Sequence, residues 1–286
     1  MEPVHIGVIG GSGLYEMDGL EDVTEVTPDT AFGKPSDAIT VASLGGVRLA
    51  FLPRHGKGHR LLPTEVPSRA NIAALKGLGV RRILSFSAVG SLQEAYAPRD
   101  FVVPDQLIDR TRHRPDTFFG DGIVGHVAFA DPFANHLGAI LSGHLEQMDV
   151  TAHKGGTLVC MEGPLFSTRA ESELYRSWGA HLINMSALPE SKLAREAGIE
   201  YALTCMVTDY DCWHVEHDEV DIQMVLDNLV ANAGHATELL QRALPDIAAA
   251  PRDEAIANAT QFAVITAPEK RPPDAVARLK GIIDGI

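Results

Sequence analysis

Two aspartates stand two residues apart in Thr208-Asp209-Tyr210-Asp211. On an extended segment such residues point to the same side, and close carboxylates raise the pKa of at least one of the pair. A carboxyl kept protonated near neutral pH can donate to a ring nitrogen. The spacing equally suits loop aspartates that cap a helix or bind water, and both readings stand at this point. Leu52-Pro53-Arg54-His55-Gly56 delivers a guanidinium and an imidazole together. Arg offers a planar fork of donors that matches phosphate oxygens, and His adds another donor. Phe86-Ser87-Ala88-Val89-Gly90-Ser91 ends an apolar run in a hydroxyl and small residues, and Ile183-Asn184-Met185-Ser186 ends another strand. Gly10-Gly11-Ser12-Gly13 lets the backbone close on an anion. Each of these also has a plain reading as a turn, a tight loop or a solvated charge. Phe166, in Glu162-Gly163-Pro164-Leu165-Phe166-Ser167, could stack on an aromatic base or sit in the core.

Several chemistries are disfavoured. The run GGSG lacks the third glycine of GxGxxG, and no acidic residue follows at the expected distance, so no dinucleotide cofactor is expected. His113, His126, His214 and His217 lack metal-ligand spacing. Cys160, Cys205 and Cys212 form no CxxC pair and read as free thiols in a reduced compartment, so neither disulfides nor zinc are expected.

These residues fall where apolar runs stop, so the elements between them set their positions. Val4–Ile9, Arg82–Ser87, Thr157–Met161, His181–Met185 and Tyr201–Thr208 read as buried strands. Ala38–Ser43 and Val47–Leu52 flank Gly45-Gly46 as a hairpin, and Phe101–Ile108 is strand-like. Ser68–Leu78 reads as a helix ended by Gly79, and Phe133–Met148 and Pro189–Ala197 as two more. Thr168–Trp178 opens with the capping-box spacing of Thr168 and Glu171. Asp221–Arg242 is the longest helix, with Val225, Leu229, Ala233, Ala236 and Leu240 on one face. A last short helix runs from about Asp274 to Ile283. Alternation of this kind predicts one α/β domain with a mostly parallel or mixed central sheet. In such sheets ligands sit beyond the carboxyl ends of the strands.

Composition narrows the partners. The chain has 286 residues, 45% of them apolar and 22% charged, with a formal net charge of −14. That suits a globular protein with a substantial core. A nucleic-acid binder needs the opposite surplus of charge, and an acidic surface repels anionic membrane. A small anionic substrate stays open, because a buried site makes its own local field. No run approaches the roughly 18 apolar residues of a membrane span, and the N-terminus shows no basic region or cleavage motif. The expectation is a cytoplasmic protein that binds neither nucleic acid nor membrane.

The segments IGVIGGSGL, TAFGKPSDA, PRHGKGH, SAVGSL, DQLIDRT, GGTLVCMEGPLFSTRAES, WGAHLINMSALPESKLAREAGI and VTDYDCW follow one another from residue 6 to residue 213. Together they resemble the methylthioadenosine phosphorylase branch of the trimeric purine nucleoside phosphorylase family. The resemblance implies a single α/β domain with a mixed central β-sheet flanked by helices, over residues 1–247, with a C-terminal extension at 248–286. It implies a homotrimer and reversible phosphorolysis of a purine nucleoside, with inorganic phosphate as co-substrate and no metal or organic cofactor. Ser12, Arg54, His55, Ser87, Ala88 and Ser186 would hold phosphate. Met185 would contact the ribose, and Phe166 and Ser167 would lie by the base. Asp209 and Asp211, with Tyr210 between them, would face the purine N7 and 6-amino edge, and Asp209 would be the general acid. Ile222, Val225 and Leu226 would line an apolar pocket for a methylthio group, and His126 would reach the neighbouring subunit's site. Ser12, Ser87 and Ser186 stand where many relatives carry Thr, which keeps the hydroxyl. VPSRANI replaces VNYRANI, and the tail after about Ala248 lies outside the matching segments. Alternatives are a phosphorylase for methylthioinosine or general purine nucleosides, a hydrolase of the same nucleoside, and a non-catalytic nucleoside sensor.

Overall fold

A computed structural model describes residues 4–10, 17–214, 222–283 and 286. Ser12 lies outside the described residues, as does the side chain of Ile222. The chain begins with β1 (Ile6–Gly10), β2 (Glu21–Val26), β3 (Ile39–Leu44), β4 (Val47–Pro53), α1 (Ser68–Gly77) and β5 (Arg82–Ser91). It continues through β6 (Phe101–Val103), β7 (Gln106–Arg110), α2 (Asn135–Leu145), β8 (Ala152–Lys154), β9 (Thr157–Met161) and α3 (Arg169–Ser177). The last elements are β10 (Leu182–Asn184), α4 (Ala187–Glu196), β11 (Glu200–Asp209), α5 (Ile222–Ala249), α6 (Glu254–Ala257) and α7 (Pro273–Leu279).

The described strands form one mixed sheet of eleven, which branches at β5. Residues Arg82–Ser85 of β5 pair in parallel with β1, and Gly90 and Ser91 pair antiparallel with β10. Along its other edge β5 pairs in parallel with β11 from Arg82 to Val89. One arm continues through β9 to β7, and the other from β11 through β6 to β8. Ile72, Leu75, Leu193 and Leu279, from α1, α4 and α7, are buried in one cluster. Leu137 and Leu141 of α2 join Leu239, Leu240 and Leu244 of α5 in another. Strands covered on both faces read as continuous apolar runs, and β11 is buried at all ten positions. Burying one such side chain contributes roughly 1.5–3 kcal/mol.

Most expected elements are present, and the capping box of α3 forms, with Thr168 and Glu171 each bonded to the other's backbone N–H. Four readings are corrected. Ala88-Val89-Gly90-Ser91 is strand, not loop, because β11 and β10 supply partners beyond the apolar run. Phe101–Ile108 divides into β6 and β7 around Pro104, whose missing N–H cannot join a ladder. Helix α5 runs on through Pro245 to Ala249. Ala243, Leu244 and Ile247 continue its buried stripe, and Arg82 donates to the carbonyls of Ile247, Ala248 and Ala250 where the helix ends. The early buried face of α5 is polar: Asn228 and Asn232 donate to the carbonyls of Thr208 and Val207, while Val225, Leu229 and Ala233 are only half-buried. Two strands went unread, the charged, largely exposed edge strand β2 and the short β8.

The C-terminal segment packs on the rest of the chain. Leu279, Ile282 and Ile283 enter the core, and Asp253 N donates to the fully buried Glu200 carboxylate at 2.5 Å. Gly198, just past α4, has φ +63°, and a Cβ there would lie 2.7 Å from the Ala257 carbonyl oxygen. The left-handed backbone alone costs an L side chain about 1–2 kcal/mol. Gly198→Ala is therefore expected to lower stability by at least ~1 kcal/mol, read as a lower urea midpoint at unchanged m-value.

Candidate active site

Arg54 and His55 follow β4 directly, and Arg54 N donates to Gly10 O at the end of β1. The Arg54 guanidinium is buried and largely occupied. Its Nε and Nη2 donate to the two oxygens of Glu190 at 2.5 and 3.1 Å. Nη1 donates to Phe86 O at 3.0 Å and Nη2 to Ser85 Oγ at 2.7 Å. Tyr201 adds its hydroxyl to Glu190 Oε2 at 2.9 Å. The expected open fork is thus committed within the protein, and four of its five N–H groups have partners. His55 also differs from the donor expected of it. Its Nδ1 lies 2.8 Å from Leu61 O, so Nδ1 carries the proton and Nε2 is left as an acceptor. Burial, then the charge of Arg54, push the imidazole down to about 4, so it is neutral at physiological pH. Nε2 suits the P–OH of a phosphate.

Ser87 and Ser186, 99 residues apart in sequence, bring their Oγ atoms within 2.8 Å. Ser87 lies inside β5, with Ala88 beside it. Ser186 is the N-cap of α4 but makes no side-chain cap bond, which leaves its hydroxyl available. Between them stands the buried Asn184, at 3.1 Å from Ser87 Oγ and 3.4 Å from Ser186 Oγ. Met185 packs against Gly163, where an added Cβ would lie 2.5 Å from its sulfur. Arg114 donates to the carbonyls of Met161 and Glu162 and to those of Met185 and Leu188, tying the ends of β9 and β10 together. A small cavity is lined by Arg54, His55, Arg114, Met185, Ser186 and Glu190. A larger one, about 140 Å³, lies between α2 and the β6–β8 edge. It contains none of the candidate residues, and the chemistry favours the smaller.

Asp209 ends β11, but the chain does not stay extended. Asp211 has φ +51°, and its N–H donates to Asp209 Oδ1 at 2.8 Å. A turn, not strand alternation, therefore brings the carboxylates together, and they meet over Gly90. A Cβ at Gly90 would lie 2.9 Å from Asp209 Oδ1 and 3.6 Å from Asp211 Cβ. Asp209 Oδ2 accepts from Thr208 Oγ1 at 2.7 Å. Burial raises the Asp209 carboxyl. Asp211 is pushed up to about 6, chiefly by burial and further by the charge of Asp209, while nearby hydroxyls of Ser172 and Ser167 temper the shift. Even so, Asp211 Oδ2 and Ser172 Oγ are buried without a hydrogen-bond partner.

The remaining expected residues divide. Phe166 is 46% exposed, which removes the core alternative and leaves its ring available for stacking. Ser167 is tied to the aspartate loop, its carbonyl accepting from Cys212 Sγ at 3.3 Å. Tyr210 commits its side chain to packing, with its hydroxyl on Glu94 O and its ring against Trp213 and His214. Val225 is half-buried and Leu226 exposed on the first turns of α5. His126 is exposed, its N–H on Ala263 O, and no hydrogen bond joins it to this site among the described residues. Glu190, Tyr201, Arg114 and Asn184 were not singled out from sequence. The one available signal was a glutamate, Glu190, in the otherwise apolar start of α4.

Comparison with known proteins gives consistent matches. The phosphorylase superfamily matches residues 5–245. The S-methyl-5'-thioadenosine phosphorylase of Synechocystis sp. is 55% identical over 93% of this chain and 83% of its own. That of Geobacter sulfurreducens is 51% identical over 99% of both. A crystal structure of a methylthioadenosine phosphorylase from an antarctic soil metagenomic library superposes with a TM-score of 0.94 at 46% identity, covering 99% of this chain and 100% of that one. The Schistosoma mansoni methylthioadenosine phosphorylase in complex with adenine gives 0.85 at 37% identity, covering 91% and 97%.

The Asp211 shift has a measurable consequence. The folded carboxyl titrates near 6 and the unfolded one near 3.8. The folded state thus keeps a proton that the unfolded state has released between those values. The contribution of Asp211 is fully present below pH 3.8 and lost as pH rises through about 6. Asp211→Asn is expected to exceed the native protein in stability by on the order of 2 kcal/mol above that pH, with the difference closing towards pH 4. Denaturant melts across the range check this.

Proposed function

This chain belongs to the phosphorylase superfamily, and on that premise we propose that it cleaves 5'-methylthioadenosine with inorganic phosphate, giving adenine and 5-methylthioribose 1-phosphate. It acts as a pentosyltransferase. The observation that carries the reading is one juxtaposition. The paired hydroxyls of Ser87 and Ser186 and the paired carboxyls of Asp209 and Asp211 stand three residues apart along β5. One pair suits an anion and the other a purine edge.

The chemical difficulty is the leaving group. Adenine departs poorly as an anion, and the anomeric carbon becomes cationic as the bond stretches, as in other glycoside cleavages. Asp209 is assigned the proton donor to N7, and burial, which raises its carboxyl, favours the protonated form it needs. Asp211, near 6, is mostly ionised at neutral pH, and its unpartnered Oδ2 suits a 6-amino donor. A 6-oxo group would set lone pair against lone pair, so the pair favours adenine over hypoxanthine. The aromatic ring of Phe166 stacks on the base, and Ser167 lies beside it. Phosphate sits on Ser87, Ala88 and Ser186 with His55 and the remaining Arg54 N–H, joined by Ser12. It places negative charge beneath the sugar and then attacks the anomeric carbon. Met185 contacts the ribose, and Ile222, Val225 and Leu226 receive the methylthio group. Phosphate is a co-substrate, and no cofactor enters the reading.

We also propose a cytoplasmic homotrimer acting in purine and methionine salvage, with His126 reaching a neighbouring copy's site. Exposed Val124, Phe262 and Ile265 support an interface there: Ile265 N donates to Val124 O next to His126. Among the described residues no helix is long and apolar enough to cross a membrane.

Adenine release from 5'-methylthioadenosine, with and without phosphate, tests the reaction. Release only with phosphate is expected, and release without it would make the protein a hydrolase. Adenosine should be a weaker substrate by the roughly 1–3 kcal/mol that one apolar group contributes, and preference for methylthioinosine would overturn the reading of the aspartates. Asp209→Asn should lose about 10²–10⁴-fold in kcat at near-native phosphate KM.

A further inference from the structure

A serine hydroxyl has one proton and two lone pairs, so its usefulness to phosphate depends on which it presents. Phosphate near neutral pH is chiefly an acceptor. A hydroxyl whose proton points into the protein meets it lone pair to lone pair. Something must therefore set the direction of the two hydroxyls at the seam of β5 and β10.

We infer that Asn184 is a positioning residue that orients the Ser87 and Ser186 hydroxyl protons towards phosphate, a role that rests on reading those serines as the phosphate seat. Asn184 is the last residue of β10, 5% exposed, and so held by the sheet rather than by a loop. Its Nδ2 approaches both hydroxyl oxygens, at 3.1 and 3.4 Å. The amide donates chiefly to Ser87 and more weakly to Ser186, engaging a lone pair on each. Each serine then keeps its proton and a single lone pair. Ser87 Oγ donates to its neighbour Ala88 O at 2.9 Å and lies within reach of Ser186 Oγ at 2.8 Å. These are local, easily exchanged contacts, and the arriving anion takes the protons from them.

The amide cannot serve equally well reversed. Asn184 Oδ1 is buried with no partner, so exchanging the two ends would place an NH₂ where no acceptor lies. It would also turn an acceptor on both hydroxyls and draw their protons inward. No other amide or cation among the described residues donates to either hydroxyl. Arg54 is held largely on Glu190, with one N–H to spare, and His55 presents an acceptor, so the serine pair is a large share of the donors at this seat.

Asn184→Asp tests this, because it exchanges a donor for an acceptor of the same shape. Phosphate is varied at saturating 5'-methylthioadenosine, and the variant-to-native ratio of phosphate KM is followed from pH 5.5 to 8.5, so that the titration of phosphate itself cancels. The ratio should be about 10- to 100-fold at the alkaline end. It should fall as pH drops and the new carboxyl regains a proton to donate, while nucleoside KM stays within about twofold. Asn184→Ala loses the donors without adding charge. It should raise phosphate KM about three- to tenfold, with no pH trend beyond that of the native enzyme. Native phosphate KM in the Ala variant would overturn the inference, as would parallel loss of kcat and both KM values in every folded variant. If the Asp variant does not fold, the Ala variant decides alone. Native enzyme that needs no phosphate would instead sink the functional reading beneath it.

Discussion

Strand β5 exchanges partners along one edge, and the candidate site depends on that exchange. Up to Ser85 it is paired with β1, and from Gly90 it is paired with β10, while β11 runs beside it throughout. Two neighbours that arrive from opposite directions cannot abut, so a gap opens between them at Phe86–Val89. Buried backbone polar groups in such a gap need partners. Arg54 meets Phe86 O. The split thus admits polar side chains to an apolar sheet, and the ends of β4, β10 and β11 deliver the rest. This is the strand-end rule for α/β sheets, with the crevice made by a change of pairing direction.

The charges around the gap nearly cancel. Arg54 is matched by Glu190, Arg114 lies 3.7 Å from Glu162, and His55 is neutral. In a chain of net charge −14, the proposed phosphate seat therefore offers directed donors more than a cationic field. A buried ion pair is weak evidence of stability, but removing one partner typically costs about 3–5 kcal/mol. That cost ties β4 to α4 and fixes where the Arg54 backbone leaves the sheet. Arg114 does the same for β9 and β10 through four carbonyls. The two guanidiniums act as fasteners whose geometry places the hydroxyls.

Much of this was legible in the sequence. Apolar runs located β1, β4, β5, β9 and β11, and the polar residues that the sequence marks on β4, β5 and β11 are among those assembled here. Legibility failed where tertiary pairing decides. Ala88–Ser91 has the composition of a loop and is a strand because two partners claim it. Arg54 has the chemistry of a phosphate fork, yet its donors are taken by Glu190, 136 residues away. Glu190 stands out locally only as a charge in the apolar start of α4, and no spacing ties it, Tyr201 or Arg114 to Arg54. Edge strand β2 is charged and exposed, so no periodicity could reveal it. Tyr210 lies between the two aspartates, and no spacing reveals its ring contacts with Trp213 and His214 or its hydroxyl on Glu94 O.

The aspartate pair shows why the site accepts a local loss of stability. Asp211 has a left-handed backbone, a buried carboxyl and an oxygen without a partner. Each is unfavourable alone, and strain of the backbone kind costs about 1–3 kcal/mol. Gly90 lets the pair close over the sheet, since any side chain there would strike Asp209 Oδ1 and the Ile183 methyl. The turn in exchange gives Asp209 an N–H donor from Asp211 and leaves Asp211 Oδ2 open on the other side. Two carboxyls of one sequence motif are thereby made unequal: Asp209 takes one donor from the protein on each oxygen, and Asp211 keeps an oxygen without a protein partner. An extended segment would have presented both alike, so the departure from strand geometry is what separates their chemical roles.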